Sequence, residues 1–274
     1  MPASLQPVRS LPRLARLSRL GRRLATPPPR REATELLDRP DLDPAELAAN
    51  LADIRRFNRF GAGTAAVIRH LPALLAPIPT DRAAVVLDLG TGSGDIPLAL
   101  AAWGRRHGRP LRLIASDASA PVLAVAARHL AAHPEIELAR YDARAVPLPD
   151  RSVDVVLCSL TLHHFPPAEA ATILTEIDRL ARYGFVLNDL RRGRAGYAAA
   201  WLSSHLATRN RLTRHDAPLS VLRAYTPAEV DGLLARAGID GAVVTRHAWF
   251  RLAAVKRVPS AKSAVPSQGE AAST

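Results

Sequence analysis

The chain holds one cysteine and one methionine in 274 residues, and aromatic residues make up only 4% of it. A lone cysteine excludes an intramolecular disulfide framework and fits a reducing, cytoplasmic setting. Cys158 follows the apolar run Val153 to Leu157, which points to a buried small hydrophobe rather than a reactive thiol. No apolar run approaches the roughly 20 residues that a membrane-spanning helix needs. Lysine is almost missing as well, with only Lys256 and Lys262 among 37 basic residues. Acid is missing from the front: residues 1–31 carry eight arginines and no aspartate or glutamate. The formal net charge of +12 therefore falls to +4 once that arm is set aside. A nucleic-acid partner has no support outside the arm.

What is present is enough apolar material, 48% of the chain, to bury one sizeable core. Four segments follow: a basic arm at 1–31, a helical cap at 32–80, an α/β domain at 81–257 and a low-complexity tail at 258–274, with arm and tail expected to be disordered. In the arm, Leu11, Leu14, Leu17, Leu20 and Leu24 recur at three and four residues between arginines. That spacing suits weak contact with a membrane surface or a partner, and it also has the look of a transit peptide.

Asp43, Pro44 and Glu46 predict a helix start with a capping box, and Leu47, Leu51 and Ile54 share one helical face. A second helix is expected from the Gly61 and Gly63 pair to Leu75. From Val85 onward, strand-like runs at 85–89, 111–116, 136–141, 153–158 and 184–189 alternate with helical stretches at 96–106, 120–132 and 167–182. Thr226, Pro227 and Glu229 repeat the capping pattern, Gly238 can close that helix, and two more strands fit within 242–257. The pattern predicts an α/β, Rossmann-like fold: a mostly parallel seven-stranded sheet flanked by helices, with an N-terminal helical cap.

The stretch "VVLDLGTGSGDI", residues 85–96, runs from a buried strand into a turn with glycine at alternate positions. The dinucleotide fingerprint wants glycine at the first, third and sixth positions, and counted from Gly90 the sixth is Asp95. The stretch instead resembles motif I of the class I S-adenosylmethionine-dependent methyltransferases. That resemblance implies S-adenosylmethionine as cofactor and places Asp88, Gly90, Thr91, Gly92 and Gly94 against its methionine part. It assigns Asp117, with Ala118 beside it, to the ribose hydroxyls, Asp142 and Ala143 to the adenine, and Ser159, at the end of the fourth strand, to the cofactor as well. Asp117 also reads as a helix N-cap and Asp142 as a turn residue.

The stretch "CSLTLHHFPP" resembles the small-molecule branch of that family. Enzymes that methylate exocyclic amines of bases carry an Asn or Asp, two prolines and an aromatic there, and Ser159 to Leu162 do not. His163 and His164 are candidate general bases, as is His215 with Asp216 as its orienting carboxylate. Each histidine could equally pack or cap. Phe57, Asn58, Arg59, Phe60, Asn188 and Arg191 are expected on the acceptor or cofactor side, the first four through a lid that the front helix would form. The sequence offers few closely spaced metal-ligand sets, and metal-independent transfer is expected. The expected acceptor is a small aromatic, quinone-like or polyketide-like molecule, methylated on oxygen or an activated carbon. Two alternatives stay open: a non-catalytic cofactor-binding scaffold that docks through its basic arm, and a nucleic-acid methyltransferase.

Overall fold

A computed structural model of the chain describes residues 26–61 and 63–258. Seven strands, β1 (Ala84–Leu89), β2 (Leu111–Ser116), β3 (Ile136–Ala139), β4 (Val153–Ser159), β5 (Ala181–Leu190), β6 (Val243–His247) and β7 (Arg251–Arg257), form one sheet. Their order is β3-β2-β1-β4-β5-β7-β6, and β7 runs antiparallel to both of its neighbours. The chain moves outward from β1 to β3 and then returns to β4 on the other side of β1. That reversal opens a crevice beyond the carboxyl ends of β1 and β4, where ligands of such sheets bind.

The central strands are apolar on both faces because helices cover both. Leu87, Leu89, Val156 and Phe185 pack on one side, with the helix α6 (Pro167–Leu180). Val86, Val155, Leu157 and Val186 pack on the other, with α4 (Asp95–Arg106). The remaining helices are α1 (Pro44–Phe60), α2 (Gly63–Ile68), α3 (Leu71–Leu75), α5 (Ala120–His129), α7 (Arg194–Ala207), α8 (Arg211–Arg223) and α9 (Pro227–Arg236). None of the described helices is long and apolar enough to cross a membrane.

Local details depart from the sequence reading for identifiable reasons. Asp43 caps α1 by accepting from Ala45 and Glu46 N–H, but the Glu46 carboxylate turns away to Arg211 of α8 instead of closing the box. The helix expected from the Gly61 and Gly63 pair to Leu75 is two short ones, because Pro72 has no N–H to donate to the Ile68 carbonyl and its ring crowds that carbonyl. At α9 the reciprocal Thr226–Glu229 box forms as expected, and Gly238 follows the helix with φ +70°. Residues 1–25 of the arm and 259–274 of the tail lie outside the described residues. The last arm residues do not hang free. Arg31 N–H donates to the Leu222 carbonyl, and the Pro28 carbonyl accepts from Arg192. From Pro28 to Asp38 the chain forms a strap laid over the carboxyl edge of the sheet and held by α8.

Candidate active site

The glycine loop after β1 is built around left-handed backbone. Gly90, Gly92 and Gly94 have φ of +70°, +56° and +78°. A side chain on Gly90 would collide with Thr161, and one on Gly94 with Leu130, whereas the space beside Gly92 is clear until Leu51 at 3.9 Å. At the base of the loop Asp88 is only 2% exposed, and neither of its carboxylate oxygens has a partner. Burial pushes its pKa up to about 8. The buried Thr91 hydroxyl is unpartnered too. An orphaned acid beside bare backbone suits the cationic head of a ligand, and the ammonium of S-adenosylmethionine is such a group.

The second acid is partly spent on shaping the loop. Asp117 accepts from Gly92 N–H at 3.1 Å and from Ser119 N–H at 3.0 Å, and burial raises its pKa. Ser119, not Asp117, caps α5. The Ala118 carbonyl accepts from Arg140. Asp142 differs: Arg144 grips it and reaches on to Glu169, holding its carboxyl below the usual range. Both partners are half-exposed, so that ion pair is weak and its opening costs about 1 kcal/mol or less. Ala143 is buried beside it. At the end of β4, Ser159 accepts from the Asn188 amide at 2.7 Å, leaving the Asn188 carbonyl oxygen buried and unpartnered. Leu160 follows at φ +55°, a strained position for a branched side chain at the lip of the crevice.

Beyond that lip the two histidines meet Asp189, at the end of β5, and two acids that the sequence did not single out, Glu35 and Asp38. His163 is 3% exposed; its Nδ1–H donates to Asp189 at 2.6 Å, and its backbone N–H donates to the other Asp189 oxygen. Although burial opposes it, the His163 pairing holds Asp189 below the ordinary carboxylate range. Nε2 of His163 is left facing Glu35 at 3.7 Å. His164 donates through Nδ1 to Asp38, with Nε2 3.8 Å from Glu35. Burial alone would lower the His164 pKa, but Glu35 and Asp38 carry it to about 9. Donor atoms of Glu35, His163 and His164 lie within 4.8 Å of one another, close enough to surround a metal ion. Arg223, whose Nε is 3.7 Å from Glu35, already supplies positive charge at that point and donates to the His163 and His164 carbonyls.

The strap closes this corner. Arg30 donates to the carbonyls of His163, Phe165 and Arg223 and lies over the Tyr225 ring. Leu36 and Leu37 N–H groups both donate to Asp216. Between strap, α1 and α8 remains a cavity of about 70 Å³ lined by Glu35, Asn50, Phe57, Asp216 and Ser220 among others. The Asn50 carbonyl oxygen there is buried without a partner.

The front helix meets the site through some of the residues expected there and not others. Phe57 lines the cavity. Asn58 is buried, donating to Asp95 at the start of α4 and accepting from Arg251. Phe60 is 71% exposed, and Arg59, expected at the acceptor, lies exposed over its ring, because the helix turns that face to solvent. His215 is half-exposed on α8, and its partner Asp216 is committed to the strap, which places His215 outside the histidine corner. Arg191 is half-buried; its backbone N–H donates to the Phe250 carbonyl, and its Nε is without a partner. Glu35, Asp38, Asn50 and Arg223 are the additions the fold makes, together with the pairing of Asp189 to His163.

Comparison with known proteins points the same way. The family described as "Methyltransferase domain" matches residues 86–184. Over 92 residues the chain is 41% identical to malonyl-[acyl-carrier protein] O-methyltransferase of Marinomonas sp. (strain MWYL1), covering 34% of this chain and 33% of that protein. Over 115 residues it is 35% identical to trans-aconitate 2-methyltransferase of Azoarcus sp. (strain BH72), 42% and 41% of the two chains. These matches span well under half the length of either relative. The CurJ carbon methyltransferase structure shares the fold at a TM-score of 0.56 and 15% identity, over 82% of this chain and 63% of that one. Residues 86–184 thus match a methyltransferase domain, set in a fold that the carbon methyltransferase shares.

Proposed function

We propose that the chain transfers the methyl group of S-adenosylmethionine to a hydroxyl oxygen or an activated ring carbon of a small aromatic, quinone-like or polyketide-like acceptor. The observation that carries this reading is the His163–Asp189 pair at 2.6 Å, set just beyond the strand end that flanks the glycine loop. Asn188, which precedes Asp189 on β5, and Arg191 just past the strand end are the acceptor-binding candidates at the same crevice edge. When bound, the cofactor supplies a methyl already made electrophilic by its sulfonium, so the protein has to orient the acceptor and remove one proton. Asp88 takes the ammonium, Asp117 the ribose hydroxyls, and the region of Asp142 and Ala143 the adenine. Asp189 fixes the proton of His163 on Nδ1, so that Nε2 takes the acceptor's proton as the new bond to carbon forms.

Calorimetry with S-adenosylhomocysteine tests the cofactor half: binding is expected, and Gly92→Arg, which fills the one clear side of the loop, should remove it. Mass spectrometry of phenolic and polyketide-like acceptors incubated with methyl-labelled cofactor tests the acceptor half. A folded protein that binds no S-adenosylhomocysteine would overturn the reading.

A further inference from the structure

Helix α7 is packed inside out. Its buried residues are Gly196 and Ser204, while Tyr197, Trp201, Leu202 and Leu206 stand exposed, Leu206 at 79%. A soluble helix ordinarily turns its large apolar residues inward. Next to it, the β6–β7 turn places Trp249 and Phe250 both at φ +57°, where hairpins favour Asn and Gly. Two non-glycine residues in that region strain the backbone, and Trp249 stands 66% exposed. Turn and helix belong to one surface: a Cβ on Gly196 would stand 3.1 Å from Phe250. The end of α1 joins them, since Arg56 donates to the Ala207 carbonyl and Arg251 to the Gly61 carbonyl next to exposed Phe60.

The segment that carries α7 is charged with one sign only. From Leu190 to His215 the chain has six arginines and no acid. Arg192 and Arg211 are paired, with Glu229 and Glu46, whereas Arg194 and Arg209 lie at the two ends of α7. The arm leaves the fold at the same place, because the Pro28 carbonyl is held by Arg192, two residues before α7 begins. Residues 1–25 repeat the composition, leucines at helical spacing among six arginines with no acid. Like charge argues against the arm covering α7 and for one anionic partner beneath both.

We propose that α7 and the Trp249 turn form a docking surface for an anionic lipid bilayer. Trp and Leu side chains insert at the headgroup level while the flanking arginines meet lipid phosphates. The placement is independent of which acceptor is methylated.

Sedimentation of the full chain with vesicles tests it, comparing phosphatidylcholine alone with a mixture containing about 30% phosphatidylglycerol. Binding is expected only to the mixture, weakened by salt, and accompanied by a blue shift of tryptophan fluorescence. Trp201→Ser with Leu206→Ser, and separately Trp249→Ser, should each weaken it about tenfold or more. Their thermal midpoints and S-adenosylhomocysteine affinities should match the parent, since these side chains are exposed and outside the candidate active site. Vesicle binding untouched by the exposed-face variants would overturn the proposal, leaving the arm as the sole contact. A parent dimer that these variants convert to monomers, with no vesicle binding, would also overturn it and assign the face to a second copy of the chain.

Discussion

At the residue scale the proposed chemistry turns on two buried carboxylates, and they work in opposite ways. Asp88 is left without partners and its charged form is disfavoured, whereas Asp189 is held ionised by His163. Asp189→Asn keeps the shape but lets His163 adopt the wrong tautomer, which should cut kcat roughly 10²- to 10⁴-fold with little change in KM. Steady-state kinetics alongside S-adenosylhomocysteine titration checks this, and unchanged kcat would remove His163 as the base. His164 supplies a pH prediction. Its folded pKa, about 9, lies above the ordinary histidine value, so the charged form is stabilised by folding. That contribution is fully present below about pH 6.5 and is lost as pH rises toward 9, each pKa unit being worth about 1.4 kcal/mol. Thermal midpoints measured from pH 6 to pH 9.5 should therefore fall more steeply for the parent than for His164→Gln.

Among the elements, the glycine loop and the strap contrast in what a sequence can reveal. The loop was legible because each glycine answers a local demand, positive φ or a neighbour's close approach, within a few residues of a buried strand. Gly90→Ala should destabilise the fold by about 1–3 kcal/mol, since the added carbon meets Thr161 as well as strained backbone. Gly92→Ala meets open space, so thermal melts should show a smaller loss while calorimetry shows the larger drop in cofactor affinity. The strap was not legible. Leu36 to Asp38 is a single turn with no periodicity, and its partners Asp216 and Arg223 lie some 180 residues away in the chain. Nor does any local pattern tell that Glu35 will be buried against two histidines. The same limit explains Arg59: helix periodicity gives a face, but only the packing of α1 against α8 decides which residues at its end turn toward the site.

On the scale of the whole molecule, the proposed function divides the sheet between a cofactor side, made from β1, β2 and the loops after them, and an acceptor side, made from the ends of β4 and β5 under the N-terminal strap. The strap's polar contacts reach His163, His164, Asp216, Ser220 and Arg223, on the acceptor side of that division. Shortening the chain should therefore separate the two halves of the function. Removing residues 1–25 leaves Arg30 and Glu35 in place, and turnover of a soluble acceptor should stay within about twofold of the parent. Removing residues 1–38 takes away the acids that face both histidines and opens the corner to water, so turnover should fall by about 10² or more while S-adenosylhomocysteine affinity changes by about threefold or less. Glu35→Gln, which keeps the strap and removes one charge, serves as the second variant should the longer deletion fail to fold, and it should lower turnover with the cofactor affinity intact. Full turnover in both the longer deletion and Glu35→Gln would show that the strap is a brace for α8 and no part of the acceptor site.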